Sequence, residues 1–212
     1  MNYAELVTAI EDITENTFTD AQVKLFVQQA EEAIYNATDL PVQRTTTSIS
    51  TSAGNQFISL PAGYLYSFSV NITKDNEQTF LLTKDDSFLL EAYPSTLTAN
   101  RGLPKYYSQT GEDILRLAPI PDAVYQVSVI YAAYPTSIAG DDKTATTTSY
   151  LGNNYESVLL NASLVEAARF MKSDPDIVGN YQQMYAMSLQ VLRDVNKQRL
   201  NTDYYRSGGF LE

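Results

Sequence analysis

The sequence predicts an α+β fold: a four-helix unit, built from two N-terminal and two C-terminal helices, with an inserted antiparallel β domain and an extended C-terminal tail. Three observations predict it. Apolar residues recur at three- and four-residue spacing near both ends of the chain, the period changes to two between about residues 42 and 136, and residues 196–212 lose the helical stripe while keeping Leu200, Tyr204, Tyr205 and Phe210.

The first helix is carried by Tyr3, Leu6, Val7, Ile10 and Ile13, one stripe of an amphipathic cylinder. A second begins at Thr19, where Thr19-x-x-Gln22 can form a capping box and Phe18 and Val23 a hydrophobic staple. Its stripe is Val23, Phe26, Val27, Ala30 and Ile34, and Pro41 follows its end. From about residue 42, Thr, Ser, Tyr, Val and Ile suit a pleated surface. Residues 66–72 alternate without a fault, and Lys74-Asp75-Asn76-Glu77 reads as a hairpin connection into a strand over 79–83. Asp85 or Asp86 caps a short helix through Tyr93, ended by Pro94. A strand follows Gly102-Leu-Pro104, Gly111-Glu-Asp113 turns it, and residues 114–117 lead into LAPIPDAVYQVSVIYAAYPT, a strand with prolines at both ends.

Residues 137–153 are small and polar, too poor in apolar side chains to bury much. Helical spacing returns with Asn153-x-x-Glu156 as a cap, and the helix to about Lys172 is apolar on most faces, which predicts a central position. Asp174-Pro175 restarts the chain as a last helix burying Ile177, Tyr181, Met184, Tyr185, Val191 or Leu192, and Val195. The resulting segments are a helical pair (1–41), a β domain (42–136), a linker (137–152), a second helical pair (153–196) and an arm (197–212). Neither pair alone buries an adequate core, which favours one helical unit with an insertion over separate beads on a string.

Composition excludes much. The 212 residues contain no Cys, His or Trp, which removes thiolate nucleophiles, imidazole bases, disulfides and the usual zinc ligands. No apolar run approaches the ~20 residues of a bilayer-spanning helix, and the acidic N-terminus does not read as a secretory signal, so no membrane role is expected. The net charge of −11 argues against gripping nucleic acid. Residues 1–39 concentrate that charge, with eight acids against Lys24 alone, a net of −7.

Adjacent acids at Glu11-Asp12, Glu31-Glu32, Asp85-Asp86 and Asp141-Asp142 are candidates for carboxylate catalysis or calcium binding. Consecutive side chains on a helix point about 100° apart, and the other pairs sit beside turns, so no catalytic residue, metal or cofactor is assigned. No phosphate-cradling glycine loop is present. Sixteen tyrosines leave open a sugar-stacking platform on the β domain, a non-enzymatic carbohydrate or tail-fibre attachment module. The tail is locally basic on an acidic chain: Lys197, Arg199 and Arg206 accompany its Leu and aromatic residues. Spaced Tyr and Arg anchors in a polar segment suit one that orders on a partner, against the plainer reading of a frayed end.

Gly102-x-Pro104-x-x-Tyr107, Leu115-x-Leu117-x-Pro119-x-Pro121, Tyr125-x-Val127-x-Val129-x-Tyr131 and Pro135 form one string. It is followed by a helix ending Ala167-Ala-Arg-Phe170-Met-Lys and by Asp174-Pro-Asp-x-x-x-x-Tyr181. Over residues 57–195 this resembles the head-to-tail adaptor proteins of tailed bacteriophages, with one departure: Ala132-Ala133 stand where the family often carries a second aromatic. The resemblance implies a homo-oligomeric ring, commonly of twelve copies, made in the host cytoplasm and placed in the virion neck. It implies docking under the portal protein through a C-terminal arm, here Lys197, Arg199, Leu200, Tyr204, Tyr205, Arg206 and Phe210, with tail or nozzle proteins, or tail fibres, below. Helices lining the channel would pass DNA without binding it tightly, which gives Glu11, Asp12, Glu31 and Glu32 a role as a repelling surface. Tyr125, Tyr131 and Tyr134 are expected at the β domain's rim, facing neighbouring subunits or the tail.

Overall fold

The computed structural model describes residues 1–199. In chain order it contains helices α1 (Tyr3–Thr14) and α2 (Asp20–Ala37), then strands β1 (Arg44–Ser50), β2 (Phe57–Ser59), β3 (Tyr64–Lys74), β4 (Glu77–Phe80) and β5 (Leu82–Thr83). Helix α3 (Asp86–Ala92), strands β6 (Tyr106–Gln109), β7 (Ile114–Ala118) and β8 (Gln126–Ala133), and helices α4 (Tyr150–Asn154), α5 (Glu156–Phe170) and α6 (Pro175–Arg199) complete it. The chain is α+β and divides into two compact units: Met1–Val42 with the described residues from Pro135 onward, and Gln43–Tyr134.

In the helical unit, α1 opens with a capping box in which the Asn2 side chain accepts from the Glu5 N–H and Glu5 accepts from the Asn2 N–H. Tyr3, Leu6, Val7 and Ile10 are buried, while Ile13, at the helix end, is 45% exposed. Helix α2 repeats the device with Thr19 and Gln22, and the flanking Phe18 and Val23 are buried as a staple requires. Helix α5 packs against α1, α2, α4 and α6. Its start differs from expectation: Ser149 caps α4 by accepting from the Gly152 N–H, so Asn153 lies inside that short helix and Tyr155 precedes α5.

Helix α6 starts at Pro175 but turns a different side inward. At 100° per residue, Ile177, Met184, Met187 and Val191 form one stripe, and Tyr181, Tyr185, Leu189 and Leu192 another. The second packs against the core, with Leu192, rather than its alternative Val191, fully buried, and the first is exposed, contrary to the expectation for Ile177 and Met184. Helix α6 also closes the end of α2, which has no basic residue in its own last turn. Arg193 donates Nε and Nη2 to the Ala37 carbonyl at 3.2 and 3.0 Å, and Asn196 Nδ2 reaches the Asp39 carbonyl at 2.6 Å.

The segment from 137 to 149 is a strap rather than a loose linker. Ile138 and Ser149 are buried, and the strap's carbonyls at Thr147 and Ala145 accept the Tyr3 and Ala4 N–H groups, two of the donors that α1 cannot satisfy internally. Lys24 pairs with Asp141 and Lys143 with Glu11. The N-terminal ammonium donates to the Gly152 carbonyl at 2.9 Å, and a Cβ on Gly152 would lie 2.6 Å from the Met1 carbonyl oxygen. The strap was not legible from apolar content because hydrogen bonds and ion pairs, more than apolar side chains, hold it.

The second unit contains two four-stranded sheets, ordered β1-β8-β3-β4 and β2-β7-β6-β5. All pairings are antiparallel except β5 with β6. Asp75 and Asn76, both at positive φ, make the two-residue turn between β3 and β4 with Lys74 opposite Glu77. The expected strand over 79–83 is split, with Leu81 buried where the chain passes from one sheet to the other. Ile72, Val70, Val127 and Val129 from one sheet share a core with Ile58, Leu115, Leu117 and Tyr107 from the other.

Candidate functional site

The four acids expected on one surface separate into two kinds. Asp12 and Glu32 are exposed, and Asp12 shares the outer face of α1 with the exposed Glu5. Glu15, also exposed, stands just past that helix, at its left-handed C-cap. Glu11 is engaged: it accepts from Lys143 Nζ and from the Phe18 N–H at 3.0 Å. Burial pushes its pKa up, but the two donors outweigh this and hold it below the usual carboxylate value.

Glu31 does not belong to the acidic surface. It is 3% exposed and accepts the Ile138 N–H at 3.0 Å, with the Ser137 and Ser149 hydroxyls as further donors. Burial outweighs these bonds and raises its pKa. The signal was present in the sequence, because position 31 lies four residues after Val27 and three before Ile34, on the buried stripe itself.

The expected rim also changes. Strand β8 is an interior strand, paired with β1 on one side and β3 on the other, and Tyr125 and Tyr131 point with Val127 and Val129 into the core between the sheets. Tyr131 stacks at 5.7 Å from Tyr64, and the Tyr125 hydroxyl donates to Asp122 at 2.7 Å. Neither tyrosine offers a face to a partner. Tyr134, just past the strand, is 43% exposed. Exposed aromatics on this sheet include Phe80, on β4, and Tyr66 and Phe68, 5.3 Å apart, with the Arg44 guanidinium 4.4 Å over Phe68.

Neither of the two acid pairs beside turns converges on a common point. Asp141 pairs with Lys24 while Asp142 accepts from Thr144. Asp85 caps α3 without a side-chain bond, whereas Asp86 Oδ1 accepts from Ser108, Thr110 and Arg116 at 2.7, 2.9 and 2.8 Å. The Ser108 bond leads the interactions that lower its pKa. This is a brace that ties α3 to β6 and β7, and a carboxylate so held is a poor proton acceptor. Replacing Asp86 with Ala is expected to destabilise the β unit by about 1–2 kcal/mol, because Ser108 and Arg116 lose their acceptor, while the carboxylate itself is partly solvated. Urea unfolding checks this, and a change below ~0.5 kcal/mol would contradict the brace. Among the described residues no group of three or more Asp or Glu side chains is placed to hold a metal, and no helix is long and apolar enough to cross a membrane.

Surface character of another kind lies on α6. Met184, Met187 and Val191 are 48, 60 and 63% exposed, and the stripe runs into a cleft of about 350 Å³ between α6 and the start of α5, lined by Tyr155, Glu156, Val158, Ser188, Val191 and Leu192. Of the expected arm residues, Lys197 is exposed on α6 and Arg199 ends that helix. Leu200, Tyr204, Tyr205, Arg206 and Phe210 lie outside the described residues. The sequence had assigned Met184 to the core and left Val191 as an alternative to Leu192; two apolar stripes on one helix were the available sign that one of them faces outward.

What the molecule displays is surface: an acidic helical face, outward aromatics on one sheet and an apolar stripe on the last helix. A search of curated proteins finds no match. A family model described as SU10 adaptor protein matches residues 1–208. That span takes in both units and all but the last four residues, and the chain belongs to this family of bacteriophage adaptors, structural components of the phage particle.

Proposed function

We propose that the protein is the head-to-tail adaptor of a tailed phage: a ring, of twelve copies by family resemblance, in the virion neck between the portal and the tail or nozzle proteins. The observation that carries this reading is the family match over residues 1–208, joined to a chain without cysteine or histidine whose charge is concentrated on its first two helices. The arm from Lys197 to Phe210 clasps the portal through its Tyr, Arg and Phe anchors, and the protein acts through its surfaces without covalent chemistry. The exposed acids Glu5, Asp12, Glu15 and Glu32 face the channel, where like charge keeps the DNA phosphates from adhering during passage.

The channel assignment has a direct test. Replacing Glu5, Asp12 and Glu32 with Lys is expected to create salt-sensitive duplex binding in the isolated protein, with log K falling by about 0.9 per log salt for each phosphate neutralised. Particles carrying the variant should eject DNA more slowly. Ejection at the unaltered rate places these acids away from the channel.

A further inference from the structure

The sheet β1-β8-β3-β4 ends in two open edges. Each outer strand pairs on one side only, and among the described residues neither 45–50 nor 77–80 makes a backbone-to-backbone bond outside that sheet. An antiparallel strand with one neighbour sends every second N–H and C=O to its free side. Such edges are ordinarily blunted by proline, a bulge, charge or a covering loop. Strand β1, Arg-Thr-Thr-Thr-Ser-Ile-Ser, keeps an unbroken seven-residue register with β8, and its single charge, Arg44, stands at the first position. Strand β4 is exposed at all four residues, with Phe80 67% exposed. We infer that these edges are each other's partner: β4 of one copy adds to β1 of the next, so that neighbouring subunits share one continuous antiparallel sheet.

The inference rests on the ring reading, because a contact between two different surfaces of the same chain closes a ring, whereas β1 against β1 would close a dimer and leave Phe80 uncovered. Direction permits it. All three pairings in this sheet are antiparallel, so its four strands alternate and the two edges run opposite ways. A like-oriented copy therefore meets β4 with an antiparallel β1. Faces permit it as well. Ser48, Ser128, Asn71 and Phe80 form one row across the outer face, and Ile49, Val127, Ile72 and Thr79 the next row on the core face. Keeping that alternation across the joint, and centring four residues on seven, sets Phe80 opposite Thr46 and Gln78 opposite Ser48 of the next copy. Charge is complementary. Strand β1 carries a cation and no acid, and β4 carries Glu77 and no base, on a chain of net −11. Phe80 lies diagonal to Arg44 of the next copy, a residue whose guanidinium already sits 4.4 Å over Phe68.

The absence of cysteine makes a clean test possible, since introduced thiols are the only ones. Within one copy β1 and β4 are separated by two strands, roughly 14 Å. Dibromobimane bridges only neighbouring thiols, so any bridge it makes joins two copies. In full-length chain assembled on portal, Ser48→Cys combined with Gln78→Cys is expected to give a ladder of covalent dimers, trimers and higher species on a denaturing gel, while each single variant stays monomeric. Both positions are exposed, and Thr46→Cys with Phe80→Cys, in the same register, is measured in parallel so that a folding defect in one pair leaves the other to decide. Closed rings in the image with no ladder from either pair overturn the inference and leave the ring reading standing, with another protein's strand as the edge's occupant. Dimers from a single variant also overturn it, by showing like edges paired. Absence of rings on the portal overturns both.

Discussion

Removing residues 200–212 is expected to abolish attachment to the portal while leaving the melting temperature of the remaining chain essentially unchanged. The two halves of this result have separate causes. Leu192 and Asn196, the last side chains of α6 described as buried, complete the helical core and hold the end of α2, and both remain after a truncation following Arg199. Binding is different. Interface energy is concentrated in a few Tyr, Trp and Arg side chains worth about 2–4 kcal/mol each, and the deletion takes Tyr204, Tyr205, Arg206 and Phe210 together. Loss of even two such anchors corresponds to roughly a thousandfold or more in affinity. Co-sedimentation with portal measures the first effect and calorimetry the second. A truncated chain that binds portal within about tenfold of the full-length chain would remove the arm from its proposed role.

The largest stability effect of a single substitution is expected at Glu31. Replacing it with Ala strands the Ile138 N–H in a buried site and releases the strap from α2, at a cost of about 2–3 kcal/mol. Replacing it with Gln keeps an acceptor for that N–H and removes the charge. The pH dependence follows from burial. The folded chain raises the pKa of Glu31, so the stability associated with its neutral form is fully present below the unfolded carboxylate value and is lost as pH rises through the folded one. Glu11 and Asp86 act in the opposite sense: their pKa values are lowered on folding, and their contribution is lost as pH falls through the folded values. At pH 7 the Gln variant is therefore expected to be at least as stable as the natural chain, with any gap narrowing when the pH is lowered to 5. Urea midpoints at the two pH values check this. A Gln variant as damaged as the Ala variant at both would show that the carboxylate charge, not the hydrogen bond, holds the strap.

What the sequence revealed depended on whether the relevant signal was local. The capping box at Thr19, the stripe of α2, that of α1 up to Ile10 and the restart at Pro175 are all set by neighbours within four residues, and each is found where the spacing places it. The unbroken alternation expected over 66–72 is instead interrupted by irregularities in the β3–β8 register, so that Tyr66 and Phe68 face outward while Val70 and Ile72 enter the core. The position of β8 is not local. Its alternation marks Tyr125 and Tyr131 as belonging to one face, but only the pairing of β1, some eighty residues upstream, makes the strand interior and that face a core. The strap escaped notice because carbonyls at Ala145 and Thr147 have no sequence signature. Helix α6 carried two apolar stripes, and which one faces outward was decided by the packing of α5 against Tyr181, Tyr185 and Leu192.

The central claim is that this chain works as one copy in a ring held to the portal by its arm. Imaging purified full-length protein with and without portal tests it most directly. The account predicts closed rings on the portal, with density for the arm running onto the portal surface and the exposed acids of α1 turned toward the lumen. A single copy seated on portal without neighbours, or a ring whose lumen is lined by the β unit with the arm directed away from portal, would contradict it.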